Sequence, residues 1–255
     1  MVYALAVWAR TPHPALSSPM DTLTICYRFT LLNGRQEVFE LTIDRHTLEL
    51  QAAVPPAAPP WTQLAFHKCP NCPLNTEQHP LCPAAAKLAD VVPRFEPLLS
   101  YDSVRLEVET EERRIVGETT AQQALSSMLG LIMATSGCPH TEFFKGMARF
   151  HLPLASEDET LFRSVATYVL AQYLRQRNGA EPDPELRGLQ HIYAELRVVN
   201  AAFTKRLRAA GRADATLNAL VLLDVFAILV PSAVEESLAD LESMLQPVLE
   251  HLERR

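Results

Sequence analysis

The chain has 255 residues, 48% of them apolar and 21% charged, with a formal net charge of −7. Such a length can bury a large core in one or two domains, and the composition is that of a soluble globular protein. The acidic balance excludes broad, sequence-independent binding to nucleic acid, which needs a basic surface. No apolar run reaches the ~18 residues of a membrane span. The longest, "LNALVLLDVFAILV" at 217–230, carries Asp224 and reads as a buried core helix.

Residues 1–19 contain a short apolar stretch, Arg10 and three prolines, without a basic start or a clear cleavage site. They read as a disordered extension rather than a signal peptide, and Met20 would serve as an alternative start. Without an export signal the expected compartment is the reducing cytosol.

From Tyr27 to Leu50 apolar residues alternate on both sides of "NG", a strong hairpin signal. Two strands follow from this, with a third over 46–50. Cys26 falls in the same pattern and is assigned to the core. The proline-rich "VPPAAPPW" at 54–61 is an extended connector that leads into "FHKCPNCPLNTEQHPLCP". Next come a short helix interrupted by Pro93 and a second hairpin marked by Val104, Leu106 and Val108. A helical stretch then ends near Gly137, a suitable C-terminal cap residue.

The remainder is helical. Ser156 and Glu159 form a capping box that opens a helix ending at Asn178–Gly179. Three-four spacing runs through Leu189, Ile192, Leu196, Val199, Phe203 and Leu207, and again through Val234, Leu238, Leu241, Leu245, Val248 and Leu252. Both stripes read as core faces, with Leu196, Val199, Phe203, Val225, Leu241 and Leu245 as expected core members. The basic stretch Lys205, Arg206, Arg208 and Arg212 reads as a solvated helix end that complements the dipole. The expected class is α+β: β-hairpins in the N-terminal half, a cysteine metal site at the junction, and a helical C-terminal half. The corresponding divisions are 1–19, 20–150 and 151–255.

Four of the five cysteines, Cys69, Cys72, Cys82 and Cys138, stand directly before proline. Their spacing is C-x2-C-x9-C, with the fourth cysteine 56 residues beyond the third. A C-x2-C pair puts two sulfurs on one tight turn, able to grip one ion. Proline favours the first helical position, where its missing N–H costs nothing. Cys82 and Cys138 are therefore expected at helix N-caps, where the dipole and free N–H groups stabilise a thiolate.

Three chemistries compete. Four thiolates without an open position suit structural zinc. Four cysteines with Cys-Pro pairs also suit an iron–sulfur cluster such as 4Fe-4S, and Pro73 removes an N–H that a zinc knuckle often uses. "CPNC" as a thiol redox pair would need a preceding strand and a following helix, which this context lacks. The bland alternative is four metal-free buried thiols. His79 and His140 could replace a cysteine or orient one, His67 shares that ambiguity, and His151 is expected to satisfy a core hydrogen bond. No hydrolase elbow, P-loop, dinucleotide fingerprint or H-E-x-x-H is present, so no reaction is assigned.

The segments "FHKCPNCPL", "GLIMATSGCPHTEFF" and "MARFHLP" resemble an uncharacterised bacterial family, a domain of unknown function, from about Tyr27 to the last helices. The resemblance implies a bacterial cytosolic protein and says nothing of substrate. The expected function is a metal-binding protein of regulatory or interaction type, zinc first and iron–sulfur second, with room for a protein partner and none for a membrane.

Overall fold

A computed structural model describes residues 21–52, 58–211, 214–236 and 238–254, without the side chains at 226, 229–236 and 238–241. Strands β1 (Thr22–Leu31), β2 (Gln36–Asp44), β3 (Ser103–Glu109) and β4 (Arg114–Thr120) form one antiparallel sheet in the order β2-β1-β3-β4. In β1 the buried residues are Leu23, Ile25, Tyr27, Phe29 and Leu31, so the alternation turns one face to the core. The β1–β2 turn uses Asn33, whose side chain accepts from Arg35 N, and Gly34 at φ 80°.

The helices are α1 (Pro83–Lys87), α2 (Ala121–Ala134), α3 (Lys145–Arg149), α4 (Glu157–Arg177), α5 (Arg187–Ala209), α6 (Asp214–Glu236) and α7 (Leu238–Glu253). Short 3-10 turns lie at Pro60–Thr62, Val92–Phe95 and Pro139–Phe144. Helix α2 buries Leu125, Met128, Leu129 and Ile132 in the same apolar cluster as the sheet face. Val199, Phe203 and Leu207 of α5 and Ala215, Ala219 and Leu220 of α6 join that cluster, so sheet and helices share a core. The class is thus α+β. Ser156 and Glu159 make both capping-box bonds, and α4 stops at Asn178 before Gly179, φ 85°.

Several expectations need correction, and residues 1–19 lie outside the described residues. Residues 46–50 make no strand; Leu50 forms only an isolated bridge with Ile43, because Leu48 takes φ 55° and breaks the extension. Cys26 lies on the outer face of β1, half-buried, since it alternates with the buried Ile25 and Tyr27. Val225 and Leu245 are each 37% exposed rather than core, and Val248 and Leu252 are more open still. The side chain of Leu241 is not among those described.

One partly buried polar pair carries a pH prediction. Tyr27, fully buried, is hydrogen-bonded through its hydroxyl to His151 Nε2. Burial, helped by the nearby Arg163 charge, depresses the His151 pKa to about 3. The unfolded chain takes up this proton near ~6.5, so below that pH the unfolded state holds more protons and stability falls with pH. Measured by denaturant unfolding, His151→Asn should narrow its stability gap to the wild type by about 2 kcal/mol between pH 7 and pH 5. A gap that stays constant over that window would refute a neutral, half-buried His151.

Candidate metal centre

The segment from Trp61 to Cys82 folds back on itself. Leu64 N donates to Pro80 O at 2.9 Å, Cys82 N donates to Thr62 O at 2.8 Å, and Gln63 bridges Leu81. Within the loop so closed, Cys72 N donates to Cys69 O at 3.0 Å, making the tight turn that the C-x2-C spacing requires. Cys82 is the N-cap of α1, with Pro83 opening the helix. Cys138 is the N-cap of the 3-10 turn Pro139–Phe144 and likewise precedes proline at its start.

Cys69, Cys72, Cys82 and Cys138 line one small cavity of about 20 Å³, together with His140, Val199, Phe203 and Arg206. That volume is roughly the room of one water-sized body. All five cysteines of the chain are free thiols. Burial pushes the Cys69 thiol up to about 12, the charges of Cys82, Cys138 and Cys72 push the same way, and Arg206 pulls against them. Burial likewise raises Cys138 to about 11, opposed by the backbone N–H of His140. Among the described residues, no group of three or more His, Cys, Asp or Glu side chains is already gathered at metal-holding spacing.

The histidines separate cleanly. His140 lines the cavity; its Nε2–H donates to Asn71 O at 2.8 Å, and its Nδ1 stands 3.6 Å from Glu195 Oε2. Asn71 Nδ2 donates to Glu195 O and Oε2, so this network ties the CPNC turn to α5 and to the segment after Cys138. His79 is exposed and does not border the cavity. His67 is exposed, takes φ 47°, packs its ring edge-on against Phe66, and offers its carbonyl to Arg206.

Arg206 is the largest departure from expectation. It is 1% exposed, not a solvated helix end. Its Nη1 donates to Trp61 O at 2.6 Å and Gln63 O at 2.7 Å, and its Nη2 reaches Leu64 O and His67 O at 3.4 Å. These acceptors are backbone carbonyls of the loop that carries Cys69. Among the described residues no carboxylate pairs with it, and the groups that favour its charge are Cys82, Cys69 and Cys72. One signal could have found it: position 206 continues the 199–203 spacing of the buried stripe.

Among the described residues no helix is long and apolar enough to cross a membrane. A protein-family model described as a domain of unknown function, DUF6901, matches residues 25–246. No curated protein and no solved structure matches the chain at a significant level.

Proposed function

The chain belongs to that family, whose matched segment takes in all four Cys-Pro cysteines, and we propose that Cys69, Cys72, Cys82 and Cys138 hold one zinc ion. The observation that carries this reading is the buried Arg206 guanidinium beside four thiols. A buried cation is costly without an anion. Four thiolates around one divalent ion have a net charge of about −2 and supply that anion, whereas four neutral thiols do not. The donor set fits as well, since soft sulfur ligands suit zinc.

Size favours zinc over the iron–sulfur alternative. A cavity of about 20 Å³ admits one ion, while a four-iron cluster would have to displace the surrounding walls. Loading the site would draw the thiols inward around the ion and release their protons. The ion would then join the 61–82 loop to the end of α2 and the buried face of α5. His140 and Asn71 would orient the turn without ligating.

The role is structural and organising, in a protein of regulatory or interaction type that works in a reducing compartment such as the cytosol. A protein partner fits better than nucleic acid, given the net charge of −7. Val248 and Leu252, left exposed along α7, offer apolar surface to such a partner.

Elemental analysis of anaerobically purified protein tests the site. The expected result is about one zinc per chain and a colourless solution. Iron with visible absorbance would replace zinc by a cluster, and protein free of either metal would end the four-thiolate reading.

A further inference from the structure

A second, much larger cavity of about 490 Å³ lies between α2, α4, α5 and α6, and among the described residues shares no lining residue with the cysteine cavity. Its volume falls in the ~300–1,000 Å³ range of small-molecule sites. At one end the lining is exposed, at Gln123 and Glu157; elsewhere it is deep, with Ala134, Tyr193 and Asn200 buried. Between these ends the wall is largely apolar, including Leu131, Met133, Leu196 and Leu223.

Arg163 gives the cavity its polarity. It lines the wall half-buried, and its Nη2 donates to Met147 O at 2.8 Å and Phe150 O at 2.9 Å. Among the described residues its Nε and Nη1 have no acceptor and no carboxylate stands within ion-pair reach; Glu159, whose charge acts on it, is bonded to Ser156 N in the capping box. His151, also in the wall, is held neutral by burial and brings no compensating charge. Of the acids in the lining, Glu118 is paired with Arg105, and Glu157 sits in the first turn of α4. Farther in, both side-chain polar atoms of Asn200 lack a partner although the residue is 1% exposed.

We propose that this cavity binds a medium-chain monocarboxylate, with its carboxylate on Nη1 of Arg163 and its chain along the apolar wall. Both Nη2 protons are spent on carbonyls, so Nη1 offers the carboxylate a charge-assisted bond of its own rather than a two-pronged edge. One cation without an ion-pair partner, in a lining that also carries two acids, favours a monoanion over a phosphate. Asn200 would meet a hydroxyl or carbonyl carried farther along the chain, which explains an amide that is otherwise buried without partners. The site is independent of the metal reading, because the two linings do not overlap.

Calorimetric titration of the full-length protein as purified, with octanoate and with octanamide, tests the proposal. Octanoate should bind saturably and at least about tenfold more tightly than octanamide, a difference of about 1.4 kcal/mol. Arg163→Gln should bring the two probes level. Because Arg163 also holds the 147–150 turn, Arg163→Lys serves as a second variant, keeping the charge and losing the planar donor set, with intermediate octanoate affinity. Leu196→Trp should fill the cavity and abolish binding at an unchanged or higher melting temperature. Equal binding of both probes by the wild type, no saturable octanoate binding, or undiminished octanoate binding by folded Leu196→Trp would each overturn it.

Discussion

Replacing Cys138 with Ser should strip the metal from the protein and lower its melting temperature, while Cys26→Ser should do neither. Cys138 is the sharpest choice because the other three cysteines share the 61–82 segment, whereas Cys138 enters from the far end of α2. Serine suits the N-cap position at least as well as cysteine, so the 3-10 turn that begins at Pro139 keeps its start. The loss is therefore confined to the sulfur donor. A ligand held at about a thousand times its dissociation constant contributes about 4 kcal/mol to folding. For a chain of this size, losing that much should lower the midpoint by roughly 8–16 °C. Cys26 sits on the outer face of β1, away from the cavity. Metal content by elemental analysis and melting by calorimetry read both effects. Full metal content in Cys138→Ser would remove it from the ligand set and leave His140, already in the lining, as the next candidate.

Where burial follows a local period, the sequence was legible. The alternation of Val104, Leu106 and Val108 can face only one way once the sheet has one covered side, and these residues are buried as expected. The Cys-Pro pairs were readable for a similar reason: proline fixes the helix start, and Cys82 and Cys138 both take the N-cap. The stripe of α7 looked the same on paper as that of α5, yet Leu245, Val248 and Leu252 are exposed. Periodicity shows that a helix has an apolar face, but not what covers it. The 61–82 loop was opaque because, beyond its own backbone bonds, its carbonyls meet a side chain more than a hundred residues away. Charge misled at that same side chain. Arg206 was read with Lys205 and Arg208 as one basic patch, although helical geometry turns those neighbours outward and 206 inward.

Arg206→Met should be the most damaging single change in the helical layer. Methionine can fill much of the space of the arginine stem, so packing is largely kept and the guanidinium alone is removed. Two consequences follow, and they can be told apart. The carbonyls of Trp61, Gln63, Leu64 and His67 lose their donor, which destabilises the loop whether or not metal is bound. If a four-thiolate centre lies alongside, it also loses its counter-cation, and that cost exists only with the ion in place. Breaking a buried charge pair from one side costs about 3–5 kcal/mol. The metal-dependent share should appear as weaker metal affinity by tenfold or more, which is about 1.4 kcal/mol. A cycle of Arg206→Met, Cys138→Ser and the double variant isolates the coupling, expected within about 0.5–3 kcal/mol for neighbours acting on one centre. Arg206→Lys should recover part of the metal affinity and little of the loop stability, since an ammonium keeps the charge but cannot span four carbonyls. Additive effects in the cycle, with metal affinity unchanged in Arg206→Met, would reduce Arg206 to a clamp on the loop and take away the main support for an anionic centre beside it.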